Sequence, residues 1–315
     1  MILVCGEALF DLFSDDPDAP SLNFRAQIGG SPFNVAVGLA RLGQASAFFG
    51  GISTDMLGHR LFDRLTAEGV DTRFVIRSDR TTTLSLVQKD AGGHPAYTFY
   101  GEASADRMVS DTDLPPPTVD TSVIHIGSYT VLVEPVATAL KTLVRRERSR
   151  CLISFDPNIR PTVVGDMARW RKNTEDLVHM SDLIKVSDED LASIHPAQDP
   201  ERIAKRWIKA GAGLVVVTRG AAGAFASTSR YDLDLPGHAV EVADTVGAGD
   251  TFQAALLMGL TEAGVTSRPA LDNVDSATLT GILETSIRAA AITCSRAGAD
   301  LPRRSDLAAV GTSAE

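Results

Sequence analysis

The stretch DTVGAGDTF, Asp244 to Phe252, sets three small residues, Gly247, Ala248 and Gly249, between two aspartates. Such a run lets the backbone come close to a ligand, and its crowded N–H groups make a nest for anions. The apolar TFQAALLMGL that follows reads as a buried helix. The nest then falls at a helix N-terminus, where free amides and the positive end of the dipole suit phosphate. Asp250 stands in the first turn beside that anion. A carboxylate there repels phosphate unless it has work to do, and taking a proton from an attacking hydroxyl is such work. A plainer account stays open, in which the small residues allow a tight turn and Asp250 complements the dipole. No Gly-Lys-Ser/Thr follows and no G-x-G-x-x-G is formed, so neither common phosphate loop is present here.

A second acid, Asp11 in GEALFDLF, is expected at the end of the first strand, flanked by Leu9, Phe10, Leu12 and Phe13. A carboxylate in apolar company needs donors, and two sugar hydroxyls are good ones. The bland alternative is a solvated acid at a strand end. Gly29 and Gly30 permit close approach of backbone to ligand, and Asn34, one turn into the next helix, can both donate and accept.

These residues need a frame. Short β-branched runs (MILVCG, SVIHIGS, CLISFD, LIKVS, GLVVVT) alternate with stretches of helical period such as SPFNVAVGLARLG and EPVATALKTLVRRER. That alternation predicts an α/β fold with a mostly parallel sheet covered on both faces, whose ligands sit at the carboxyl ends of the strands. Two segments break the pattern: LFSDDPDAPSLNFRAQIGG, and TTTLSLVQKDAGGHPAYTFYGEASADR, whose alternation around Gly92-Gly93 reads as a hairpin. Paired, they would make a small β lid from about 12–28 and 83–108 on one domain spanning 1–315. The prolines of DLPPPTVD mark the return to the main body.

The 315 residues carry 30 Lys+Arg against 40 Asp+Glu, a net charge of −10 with no basic tract, which argues against a nucleic-acid role. The 44% hydrophobic content allows a sizeable core. The 3 cysteines, Cys5, Cys151 and Cys294, lie far apart in mostly apolar runs and read as reduced, buried side chains. MILVCGEALFDLF lacks a basic leader and meets Glu7 and Asp11 too early for a signal or membrane span, so a soluble cytoplasmic protein is expected.

DTVGAGDTFQAALL resembles the carboxy-terminal signature of the ribokinase-like, or PfkB, family of carbohydrate kinases, and GGSPFNVAVGLARLG resembles its amino-terminal signature. The likeness covers the whole chain. It implies a three-layer ribokinase-like fold with a β lid, and ATP-dependent phosphorylation of a sugar primary hydroxyl. Asp250 would be the base, Gly247, Ala248 and Gly249 the anion cradle, and Asp11, Gly29, Gly30 and Asn34 the sugar side. DPNIRP is similar to the fructokinase and 2-keto-3-deoxygluconate kinase branch and assigns Arg160 to the sugar or the transferred phosphate, although alone it is a plain turn with a surface cation. FYGEASADR resembles a fructokinase lid motif and points to Tyr97, Tyr100, Glu102, Ala103 and Arg107, with Glu102 and Asp106 offsetting the arginine.

LVVVTRGAAGAF resembles the ATP segment, placing Thr218, Gly220 and Gly223 near phosphates and ribose, where sequence alone gives a glycine-rich hairpin. LIKVSDEDL stands where the family commonly has Asn-x-x-Glu. Here Ser187 and Asp190 replace that pair, Lys185 precedes them, and Asp190 would organise Mg²⁺ through water. RAAAITCSRAGADLP resembles the adenine-side helix and loop; in several relatives that loop, with the one holding Asp244, binds a monovalent cation, here K⁺. In GGISTDMLG, Ser53 stands where the family usually has glycine, which bears on a local turn. The reading is a sugar kinase with fructose first, and 2-keto-3-deoxygluconate, ribose or a nucleoside as alternatives; outside enzymes, a catalytically silent sensor on the same fold. Exposed lid edges could pair two subunits.

Overall fold

The computed structural model describes residues 1–14, 21–89, 95–117 and 120–309. Its strands are β1 (Ile2–Cys5), β2 (Leu9–Ser14), β3 (Phe24–Gly29), β4 (Ser46–Ser53), β5 (Val75–Ser78), β6 (Thr83–Lys89), β7 (Pro95–Tyr100), β8 (Val123–Gly127), β9 (Leu152–Asp156), β10 (Leu183–Ser187), β11 (Leu214–Thr218), β12 (Ala224–Thr228) and β13 (Asp232–Leu235). The helices are α1 (Ser31–Arg41), α2 (Met56–Ala67), α3 (Val136–Glu147), α4 (Met167–Val178), α5 (Asp188–Ile194), α6 (Pro200–Lys209), α7 (Ala248–Glu262), α8 (Arg268–Asn273), α9 (Ser276–Cys294) and α10 (Arg304–Ala309).

Nine strands form one sheet in the order β13-β12-β11-β10-β9-β8-β1-β4-β5. Its pairs from β11 to β5 are parallel, and β12 and β13 extend it antiparallel. Parallel strands need crossover connections, and the helices between them bury both faces. This is why β1, β8, β9 and most of β10 and β11 are buried and mostly apolar, with His125, Ser154, Asp156 and Lys185 as the polar exceptions. One core lies against α1, α7 and α9, and a second against α3, α4 and α6. Helix α7, apolar almost all round, is sandwiched between α1 and α9, and Thr251 and Thr293 join hydroxyls 2.8 Å apart where α7 meets α9.

The smaller sheet has the order β3-β2-β6-β7, with β2 and β6 parallel and both outer pairs antiparallel. The hairpin expected around Gly92-Gly93 is present as β6 and β7; the turn itself lies outside the described residues. One placement is corrected. Asp11 does not end the first strand: β1 stops at Cys5, and Asp11 sits mid-strand on β2 of the smaller sheet, opposite Gln27 of β3 and Ser85 of β6. Cys5 and Cys151 are buried, Cys294 is half-buried, and all three are free thiols. No helix among the described residues is long and apolar enough to cross a membrane.

Candidate active site

Two helix starts face each other at the carboxyl edge of the large sheet. Gly247, in the left-handed region with φ 80°, turns the chain into α7 and puts Asp250 in its first turn. In the first turn of α1, Ser31 and Asn34 point back at it. Ser31 Oγ donates to Asp250 Oδ1 at 2.7 Å and Asn34 Nδ2 donates to Oδ2 at 2.8 Å. Each oxygen of the buried carboxylate therefore has one fixed donor and a second lone pair free to accept. Burial pushes Asp250 above the usual carboxylate range, against the pull of Ser31, Asn34, Lys185 and Arg160. Asn34, expected beside a sugar, thus also orients the acid.

Beside Asp250, Lys185 comes close to the start of α7: a Cβ added at Gly249 would lie 3.0 Å from Lys185 Nζ. The fit is that of a cradle for phosphate, with amides behind and an ammonium at its mouth. Gly247 packs against Ala299 of the loop after α9. Asp244 clips the same loop, accepting from Gly298 N at 2.9 Å and from Val246 N at 3.1 Å, so the two segments assigned to a monovalent cation touch.

Asp11 faces this centre from the smaller sheet. A Cβ at Gly29 would lie 2.3 Å from Asp11 Oδ2, so the glycine leaves room for the carboxylate itself. Burial raises Asp11, opposed by the Ser85 hydroxyl and Arg160, while Asp250 adds to the rise. Gly30, with φ 107°, brings the chain against the Glu7 carbonyl. Arg160 follows β9 in a turn where Asn158 has φ 40° and donates its N–H to Asp156 Oδ1 at 3.2 Å. Its guanidinium acts on Glu7, Asp11, Asp190 and Asp250 alike, which places it among the acids and not on the open surface.

Ser187 caps α5 by accepting the Asp190 N–H at 3.0 Å, which is what the family's asparagine could also do. Asp190 is driven up to about 6 by burial and by neighbouring Asp156, and its Oδ1 accepts from Ile159 N at 3.2 Å. Among the described residues no three His, Cys, Asp or Glu side chains converge as a metal cage. Asp190 and Asp156 offer hard oxygen donors near the cradle, which fits a hydrated Mg²⁺ carried largely by phosphates. Thr218 ends β11, where its Oγ1 lies 3.5 Å from the Val186 carbonyl. Gly220 faces open space with φ 51°, whereas a Cβ at Gly223 would meet the Leu235 carbonyl at 2.1 Å, so Gly223 is required by packing between strands.

In the lid motif Arg107 stacks 5.2 Å over the Tyr129 ring, and Ala103 turns with φ 54°. Asp106 is buried and engaged by Thr83, Ser104 and Tyr129 at 2.6–2.7 Å, so it braces the lid from inside. The Tyr97 side chain lies outside the described residues. Ser53 fills the turn before α2 by accepting the Asp55 N–H at 2.9 Å. Glu7, Ser31 and Asp156 belong to the constellation although no sequence signal singled them out.

A helix-start cradle, a buried aspartate with an open lone pair, and a second acid on a separate small sheet define a phosphotransferase acting on a hydroxyl compound. The profile of the pfkB family carbohydrate kinases matches residues 1–306, and the chain belongs to that family. A fructokinase of Rhizobium leguminosarum bv. trifolii is 39% identical over 260 residues, covering 82% of this chain and 79% of the relative. Among solved structures, the fructokinase of Xylella fastidiosa with bound ATP superposes with a TM-score of 0.89 at 28% identity, over 98% of this chain and 97% of that one. The fructokinase of Vibrio cholerae O395 with fructose, ADP and calcium gives 0.85 at 28% identity, with the same coverage of both chains.

Proposed function

We propose that this kinase transfers the terminal phosphoryl group of ATP to the primary hydroxyl of fructose, giving fructose 6-phosphate. The observation that carries the chemistry is the clamped Asp250 carboxylate beside the α7 amides; the names of the relatives above support fructose as acceptor. The sugar lies between Asp11, Gly29, Gly30 and Asn34, under the lid segment with Ala103, Arg107 and Tyr97. Asp250 accepts the hydroxyl proton as the oxygen attacks the terminal phosphorus. Its raised affinity for protons, from burial, suits that role. Amides from Gly247 to Gly249, with Lys185 and Arg160, stabilise charge on the equatorial oxygens, where most phosphoryl-transfer catalysis resides. Thr218, Gly220 and Ser187 border the nucleotide.

Mg²⁺, when bound through Asp190 and water, supplies charge neutralisation on the phosphates, and the Asp244 loop is assigned to K⁺. The edge strands β3 and β7 of the small sheet are assigned to homodimer contact, which the molecular mass in solution tests, and the setting is taken as cytoplasmic. Coupled assays with fructose, 2-keto-3-deoxygluconate, ribose and adenosine at matched ATP and Mg²⁺ test the substrate. Fructose should give the highest kcat/KM. A preference for the sugar acid would assign Arg160 to its carboxylate, and ATP binding with no turnover on any acceptor would make the chain a sensor.

A further inference from the structure

The first turn of α1, which clamps the base, is built without a cap of its own. Its N-cap residue Gly30 has no side chain, and no acid lies in the turn. The acid comes instead from 24 residues earlier: Glu7, 2% exposed, accepts the Ser31 N–H on Oε1 at 3.3 Å. Thr130 Oγ1 lies 3.4 Å from the other oxygen, though its hydroxyl proton has a shorter acceptor in the Gly127 carbonyl at 3.0 Å. Gly30 is bound into the arrangement, because a Cβ there would lie 2.7 Å from the Glu7 carbonyl oxygen. Ser31 is thus gripped at its backbone by Glu7, while its hydroxyl grips Asp250 Oδ1. A carboxylate sealed from water is expensive, and the phosphoryl transfer described above gives this one no task.

We propose that Glu7 is a positioning residue for phosphoryl transfer, acting through Ser31 to aim the Asp250 carboxylate at the attacking hydroxyl. The inference rests on Asp250 as the base. Ionised Glu7 accepts from the Ser31 amide and complements the positive end of the α1 dipole; protonated Glu7 does both weakly. Burial pushes its carboxyl up to about 7, with the Ser128 hydroxyl and Arg160 opposing and Asp106 adding to the rise. Tyr129 also faces it, with its hydroxyl given to Asp106, and Asp250 lies one residue beyond through Ser31. The aim of the base therefore sharpens as pH rises through neutrality.

Steady-state kinetics of Glu7→Gln across about pH 5.5 to 9 test this. The variant keeps size and an acceptor oxygen but has no charge to gain. It should show kcat about tenfold lower at pH 8, KM values for sugar and ATP within about twofold, and no inflection near neutrality. Glu7→Gln added to Ser31→Ala should cost little more than Ser31→Ala alone. Full kcat in Glu7→Gln, a loss confined to KM, or additive losses in the double variant would overturn the proposal. Carboxyl ¹³C titration of Asp250 reads the coupling without any sugar: a secondary inflection near neutrality should be present in the wild type and absent in Glu7→Gln. If that inflection is missing from the wild type or persists in the variant, Glu7 does not act on Asp250. Absence of turnover by the wild type would instead strike the kinase assignment, and the titration would still decide the coupling.

Discussion

Lys185 and Asp156, on the adjacent strands β10 and β9, form an ion pair of 2.8 Å with side chains only 3% and 2% exposed. Burial alone would strip the lysine of its proton, but Asp156, Asp250 and Asp190 hold it charged above its ordinary value. The pair thereby keeps a dehydrated ammonium against the α7 cradle. Asp156→Ala should destabilise the protein by about 3–5 kcal/mol in chemical denaturation, because an uncompensated cation stays buried. Lys185→Met combined with Asp156→Leu should recover most of that stability and none of the kinase activity.

Asp250→Asn should fold, bind ATP with unchanged affinity and lose about 10²-fold or more in kcat, since an amide cannot take the hydroxyl proton. Ser31 and Asn34 still find a partner in the carboxamide, with one clash of donors to relieve. Near-normal turnover would reduce Asp250 to a helix-start residue.

On the sugar side, Asp11→Ala should weaken fructose while leaving ATP binding unchanged, as charge-assisted bonds of about 1.5–3 kcal/mol each are lost at one subsite. Gly29→Ala should do much the same, because the added methyl carbon would fall 2.3 Å from Asp11 Oδ2 and push that carboxylate out of place. Calorimetric titration of both ligands against each variant separates the cases; equal loss for sugar and nucleotide would mean that Asp11 is structural.

Glu7 also predicts a stability profile. Its carboxyl moves from 4.5 to about 7 on folding, so ionising it costs more in the folded state than in the unfolded one. The folding free energy it contributes is intact below about pH 4.5 and drains away as pH rises through neutrality. Glu7→Gln should therefore gain roughly 3 kcal/mol over the wild type near pH 8 and almost nothing near pH 4, read from urea midpoints. A variant that is more stable and less active is the pattern expected of a strained functional group.

The cradle and its aspartate are readable in the sequence because all their residues are contiguous and the helix after them is apolar without interruption. The alternation of strands and helices is readable for the same reason. Asp11 is misassigned to the first strand because MILVCG and ALFDLF look like one apolar run; the break falls at Gly6, whose φ of 150° no neighbour announces. Glu7, Ser31 and Asp156 leave no local trace, since their partners stand 24, 219 and 29 residues away. Asp106 is visible in its local motif, but the three hydroxyls that brace it, two of them from distant segments, are not.

Asp11 rides on the small sheet and Asp250 on the large one. With Asp11 proposed to hold the sugar and Asp250 its attacking hydroxyl, a productive acceptor has to be long enough to touch both at once, and water is not. A solvent molecule resting on Asp250 gains nothing from the second acid and is held in no fixed direction. On the proposed roles of the two acids, the division of labour between the sheets would work as a safeguard against wasteful hydrolysis: the nucleotide would be spent when a polyol bridges the gap and stay intact when only solvent fills it.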